Sequence, residues 1–193
     1  MRFFVFIILI FAIAGCDIFK TREPENPVQS RNTWIPATTI EVLIDNLKNA
    51  LSDKSTENYL RCFVDSSITD KTFEFIPSSE SFANYSVIFM NWRLQSERIY
   101  FENVKSKLRD GGGITLSLFN EERGTIQGDS VNYSADYLLI VDHTVENLPK
   151  EFQGHLQFTL YRDVRGEWSI LRWKDIKKTE SLTWSDLKGR FSY

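Results

Sequence analysis

Proton transfer, nucleophilic attack and metal binding each need particular side chains, and this chain of 193 residues holds few of them. It has two histidines. His143 follows Asp142 at the predicted end of a long strand, beside Thr144-Val145-Glu146-Asn147, and His155 opens the next predicted strand. An imidazole oriented by a carboxylate is a general base, so Asp142/His143 or His155 would serve a pocket enzyme of the isomerase or dehydratase kind. A base must face a cavity, however, and strand ends generally do not, so the spacing favours polar residues at strand ends over a catalytic pair. The two cysteines, Cys16 and Cys62, and the two histidines show no C-x-x-C or H-x-x-x-H spacing, so neither a metal site nor a cofactor is expected. Asp110-Gly111-Gly112-Gly113 lacks a following phosphate-loop lysine and reads as a helix stop, Glu121-Glu122 reads as a solvated turn, and no G-x-S-x-G nucleophile motif occurs.

What the chain has in quantity is aromatic surface, with 15 Phe, 7 Tyr and 5 Trp. Tyr59, Trp92, Tyr100, Tyr137, Trp168 and Trp173 fall at helical or strand spacing and are expected first as core. If a ligand pocket exists, Tyr59, Trp92, Tyr100, Tyr137 and Trp173 are its candidate lining, suited to an apolar or ring-bearing molecule. Glu97 and Arg172 are expected as a buried pair near them. Lys+Arg 23 against Asp+Glu 26 gives a net charge of −3, so there is no global positive field and no nucleic-acid partner is expected. Lys174, Lys177, Lys178, Lys188 and Arg190 make the carboxy-terminal end mildly basic and read as a solvated face.

The elements that must position these residues emerge from periodicity. Thr38 with Glu41 reads as a capping box ahead of Ile40, Leu43, Ile44, Leu47 and Leu51 on one helical face. Ser55 or Thr56 caps a second helix with Tyr59, Leu60 and Phe63. Thr72 to Ile76 reads as a short strand, and Phe82 to Trp92 fits a helical turn or an extended loop equally. Glu97, Tyr100, Phe101, Val104 and Leu108 mark a third helix. Residues 114–119, 124–127, 130–142, 151–163 and 167–177 read as strands separated by turns. Helices first and an antiparallel meander after give an α+β class. Read by strict alternation, Trp168 and Ile170 share one face of the last strand and Leu171 and Trp173 the other. Both faces of the sheet would then be apolar, and the second would need a cover: the Leu182-Thr183-Trp184 and Leu187 segment, a second copy, or a partner.

The amino end carries a different message. After Arg2 an apolar run from Phe3 to Gly15 is too short to cross a bilayer and has the build of an export signal. Ile13-Ala14-Gly15-Cys16 resembles the lipobox of bacterial lipoproteins, which implies cleavage before Cys16 and acylation of its thiol and amino group. The expected organisation is a signal peptide over 1–15, a lipidated cysteine and proline-bearing tether over 16–37, and a domain over 38–193. Trp34 and Ile35, at the end of the tether, are expected to dock on that domain. The resemblance places the chain in the cell envelope, on the periplasmic face of the inner membrane or on the outer membrane, with the membrane itself as its first partner.

Tyr59-Leu60-Arg61-Cys62-Phe63 in the second helix, Trp92 with Glu97 and Tyr100-Phe101, and Trp168-Ser169-Ile170-Leu171-Arg172-Trp173-Lys174-Asp175 resemble the NTF2-like superfamily. With Thr183-Trp184-Ser185-Asp186-Leu187-Lys188 they are similar to bacterial lipoproteins predicted to have that fold. The resemblance covers Thr38 to Tyr193 and implies helices packed into a curved antiparallel sheet, an NTF2-like cone. It does not fix an activity, since that superfamily contains isomerases, dehydratases, transport factors and assembly modules. The expected role is a non-catalytic binding or assembly module, with a protein partner or homodimer across the sheet face; a pocket enzyme using His143 or His155 is the alternative.

Overall fold

The computed structural model describes residues 34–193; the expected leader, Cys16 and the tether up to residue 33 lie outside the described residues. Trp34 to Ala37 lie on the domain. The Ile35 amide donates to Asn46 Oδ1 at 3.3 Å and its carbonyl accepts from Asn46 Nδ2 at 2.6 Å. The Trp168 amide donates to the Ala37 carbonyl at 2.7 Å, and the Arg61 guanidinium lies 4.5 Å from the Trp34 ring centroid.

Helix α1 (Ile40–Ser52) buries Ile40, Leu43, Ile44, Leu47 and Leu51 as its periodicity predicts. Its cap is Thr39 and not Thr38: the Thr39 hydroxyl accepts from the Val42 amide at 3.3 Å. Helix α2 (Thr56–Arg61) is capped by Ser55, and β1 (Glu74–Ile76) comes next. The stretch that fits two readings resolves into two short helices, α3 (Ser79–Asn84) and α4 (Ser86–Phe89), ahead of α5 (Leu94–Ser106).

Four long strands, β2 (Ile114–Arg123), β3 (Ser130–Val141), β4 (Glu151–Arg162) and β5 (Trp168–Ile176), form the expected antiparallel meander. β1 joins it parallel to β5, giving the order β1-β5-β4-β3-β2. Residues 124–127 are not a strand, and only Gln127 bridges to Ser130. A last helix, α6 (Trp184–Arg190), closes the chain against the same face of the sheet as the other helices, its Trp184 ring packing on Tyr137 and Trp173.

The expectation of two apolar sheet faces is corrected by a bulge. Thr159 pairs with Arg172 but Leu160 pairs with Ile170, so Leu171 is an extra residue on β5. Alternation changes phase there. Trp168 and Ile170 before the bulge, and Trp173 and Asp175 after it, all point to the buried face with Tyr133, Tyr137, Leu156 and Phe158. The other face is mainly polar, carrying Asn132, Ser134, Asp136, Gln157, Arg172 and Lys174, with Leu138 and Tyr161 only partly covered. The Trp184 segment therefore packs inside the cone and does not cover the outer face.

The bulge makes a sharp expectation for denaturant unfolding. Leu171→Ala, at a half-buried position, costs about 1 kcal/mol. Deleting residue 171 removes the bulge, keeps Arg172 opposite Thr159 with Trp173 and Asp175 still inward, and leaves unfolding cooperative, whereas deleting both Leu171 and Arg172 turns Trp173 and Asp175 outward and abolishes the cooperative transition.

Candidate functional site

The centre of the molecule is built from residues on both sides of the helix-to-sheet interface. α5 turns Glu97, Tyr100, Phe101 and Val104 inward. The Glu97 carboxylate has no solvent exposure and accepts from Tyr59 Oη at 2.7 Å, from Trp92 Nε1 at 2.7 Å, and from the ammonium of Lys188. Lys188 comes from α6 and is also fully buried. Its Nζ lies 3.6 Å from the Trp173 ring centroid and 3.8 Å from that of Phe75, with Trp92 and Tyr100 at 5.4 and 5.7 Å. A carboxylate thus neutralises the cation while ring faces replace its water. Loss of hydration dominates, holding the Lys188 ammonium down at about 8 against an ordinary 10.5.

α6 is pinned by a second polar layer. Asp186 caps the helix, accepting from the Thr183 amide at 2.8 Å, and also accepts from Ser81 Oγ at 2.7 Å. Asp175 on β5 accepts from the Ser185 amide at 2.7 Å, from Ser185 Oγ at 2.5 Å and from Tyr137 Oη at 2.8 Å. Tyr137 Oη in turn accepts from the Trp184 amide at 2.7 Å, and Trp184 Nε1 donates to Tyr100 Oη at 2.8 Å. Gly154 makes this possible: a Cβ there would stand 2.7 Å from Tyr137 Oη. Burial raises the Asp175 carboxyl above the usual carboxylate range and the hydroxyls of Tyr59, Tyr100 and Tyr137 well above 10.0.

The five aromatics singled out from the sequence, Tyr59, Trp92, Tyr100, Tyr137 and Trp173, are therefore brought together, and none is more than 3% exposed. The space they surround is occupied by Lys188 and Trp184. Two expectations about charge are corrected. Glu97 pairs with Lys188, while Arg172 reaches Glu74 at 2.5 Å on the exposed face, because the bulge turns it away from the core. Lys188 is not part of a solvated basic face. The sequence did hold the signal: Trp184, Leu187, Lys188 and Phe191 share one helical face behind the Thr183-x-x-Asp186 capping box.

The histidines lie elsewhere. The His143 ring is bonded at both nitrogens, Nδ1 accepting from the Val145 amide at 3.2 Å and Nε2 lying 3.1 Å from the Pro149 carbonyl. That pairing assigns a neutral ring with its proton on Nε2. The Asp142 carboxylate takes Arg109 and Lys150 instead, and these hold it down to about 2. His155 meets Asp136 at 2.8 Å on the outer sheet face, where Lys178 at 2.6 Å and Asn120 at 2.9 Å share the same carboxylate. Neither imidazole lines the space around Lys188. Cys62 is buried, and burial pushes its thiol far above the ordinary value. Among the described residues no group of three or more His, Cys, Asp and Glu is placed to hold a metal ion. A surface cleft of about 380 Å³ opens between α2, α5 and the β4–β5 turn, lined among others by Trp34, Arg61, Leu94, Arg98 and Trp168. Arg98 pairs there with Glu57 at 2.7 Å and Arg165 with Asp163 at 2.7 Å.

This arrangement of helices in a curved, mostly antiparallel sheet is the NTF2-like fold. It is shared with an NTF2-like protein from Cytophaga hutchinsonii (11% identity, 72% of this chain and 95% of that one, TM-score 0.51) and with a conserved protein from Planctomyces limnophilus (14% identity, 71% and 91%, TM-score 0.55). A protein from Streptomyces avermitilis described as a candidate dehydratase of the NTF2-like family is similar over 72% of this chain and 94% of its own, at 8% identity and a TM-score of 0.52. No protein-family model matches the sequence, and comparison with curated proteins finds no match. These likenesses define the fold class; the chemistry has to come from the residues of the site itself.

Lys188→Met leaves Glu97 buried without its cation and costs about 3–5 kcal/mol in urea unfolding. Pairing it with Glu97→Gln, which keeps an acceptor for Trp92, recovers more than half of that loss. A pH series separates the lysine further. Between pH 8 and about 9 the unfolded chain holds the Lys188 proton while the folded chain loses it, so wild-type stability rises with pH. Above that the buried Cys62 thiol offsets the rise and the buried tyrosine hydroxyls then reverse it, because these groups stay protonated only in the folded state. Lys188→Met lacks the rise.

Proposed function

We propose that the chain is a lipid-anchored module of a bacterial cell envelope that works by binding or assembly and not by catalysis. The observation that carries the non-catalytic half is the filled cone. Where a pocket would lie between helices and sheet, Lys188 and Trp184 sit against Glu97, Trp173, Phe75 and Tyr100, and none of these six residues is more than 5% exposed. Both histidines are committed elsewhere, one to backbone groups and one to an outer-face carboxylate. The anchoring half rests on Ile13-Ala14-Gly15-Cys16 behind a short apolar run, whose thiol would carry the lipid. More than one acyl chain makes such an anchor stable, at about 0.8 kcal/mol for each buried methylene. The mainly polar outer sheet face and the surface cleft near Trp34 are then the regions open to a protein partner or a second copy.

Metabolic labelling with a palmitate analogue tests the anchor. The wild-type chain takes the label and sediments with membranes, and Cys16→Ala does neither; a label that persists in the variant overturns the lipobox reading.

A further inference from the structure

One corner of the surface is built unlike the rest. No charged residue lies between Glu80 and Arg93, a stretch that forms α3, α4 and the approach to α5. Phe89 and Trp92 turn inward, but Val87 is 82% and Met90 64% exposed, and Phe82 and Ile99 are also exposed. Ile88, Trp92, Ser96, Ile99 and Ser192 line a shallow groove that continues this surface onto α5. Exposed Arg93 stands at one margin, and Arg190 at another, next to Gly189, whose Cα packs against the Tyr85 ring. Elsewhere the exposed surface carries ion pairs, as at Arg98–Glu57, Arg123–Glu41, Arg172–Glu74 and Arg109–Asp142. A corner with no charge between Glu80 and Arg93, apolar at Val87 and Met90, polar at exposed Asn84 and Asn91, and bordered by Arg93, Arg190 and the Glu80–Lys177 pair, has the composition of a surface that lies in a lipid interface.

The place where the chain enters the domain says what covers this corner. The first turns of α5 present Leu94 and Arg98 to the cleft that holds Trp34, and Ser96 and Ile99 to the apolar groove. The tether therefore joins the domain beside the apolar corner. Residues 17–33 reach at most about 60 Å when extended, and can be much shorter than that end to end. An acyl group on Cys16 would hold the domain within that distance of a bilayer and leave it free to lie down on it.

We propose that the α3–α4 corner, with Val87, Met90, Phe82 and Ile99 at its tip and Arg93 and Arg190 at its margin, is a lipid-docking surface that seats the domain on an anionic bilayer. The proposal rests on the anchoring of the chain through Cys16. Val87 and Met90 enter the acyl boundary, the arginines meet phosphate oxygens, and the domain adopts one orientation at the membrane instead of swinging on its tether.

The test uses the full chain in vesicles of phosphatidylcholine with phosphatidylglycerol. Met90→Cys is labelled with an environment-sensitive fluorophore; Cys62 is buried with its thiol protonated and does not compete. Glu122→Cys, on the opposite edge strand β2, is the control. The expected result is a blue-shifted Met90→Cys signal quenched several-fold by nitroxides on the acyl chains, with the control unaffected. An acylated chain whose two labels respond alike overturns the proposal while leaving the anchor intact. Shielding of the label without nitroxide quenching, or before vesicles are added, assigns the corner to a second copy or another protein and also overturns it. Cys16→Ala separates the two readings: the unanchored chain is expected to bind the same vesicles weakly, and Val87→Glu/Met90→Glu to reduce that binding at least tenfold. Equal binding by the two unanchored chains overturns the docking surface whether or not Cys16 is acylated.

Discussion

A fully buried ammonium dictates the rest of this structure. Moving a lysine head out of water costs several kcal/mol unless a counter-charge and favourable surroundings replace its hydration. Lys188 finds the carboxylate on α5 and ring faces on β1, β5 and the turn before α5. Those elements are far apart in sequence, and displacing any of them would leave a charge stranded. The pair is therefore weak as a source of net stability and strong as a condition on geometry. Only one placement of α6 satisfies it.

That condition explains how so short a helix is held at the end of the chain. Seven residues do not form a stable helix on their own, because nucleation fixes several dihedrals for each hydrogen bond gained. α6 is held from both ends of its buried face. Its first amides are taken by Asp186, Asp175 and the Tyr137 hydroxyl, and its last turn delivers Lys188 to Glu97. Tyr137 is the joint between the two layers: it crosses the strand at Gly154, donates to Asp175 and accepts from α6. A residue that looks in sequence like one more strand aromatic is thus a hydrogen-bond relay, and no local pattern distinguishes these roles.

Much of the fold was legible because it rests on local periodicity. The α+β class, the meander, the first two helices and the inward Tyr59, Tyr100 and Tyr137 come from spacing alone. The failures have physical causes. Reading β5 by strict alternation placed Trp173 opposite Trp168, and Arg172 was expected to pair with Glu97; a single extra residue at Leu171 turns Trp173 inward and Arg172 outward. Reading Lys188 as solvated relied on its charge and ignored its place on the apolar face of the Trp184-Leu187-Phe191 helix. β1 was legible as a strand, but its parallel pairing with β5 depends on how the chain crosses the cone, which three residues of alternation do not encode.

Helices laid on a curved sheet can enclose a chamber, and here that volume is full. Helices on a curved sheet enclose a volume whose contents are set by side-chain size and by the segment after the last strand. A sequence that places Trp92, Tyr100, Trp173 and Trp184 in that volume, and adds a helix whose lysine completes it, converts a ligand chamber into core. Most polar atoms inside are spent on one another, Glu97 on three donors, Asp175 on three and Tyr100 on the indole of Trp184, while the buried Trp173 Nε1 has no hydrogen-bond partner. Opening that interior to another molecule would break the contacts that hold α6 in place. The surfaces left outside differ in kind: the outer sheet face is mainly polar, the Trp34 cleft is lined by ion pairs and aromatic rings, and the α3–α4 corner carries no charge between Glu80 and Arg93.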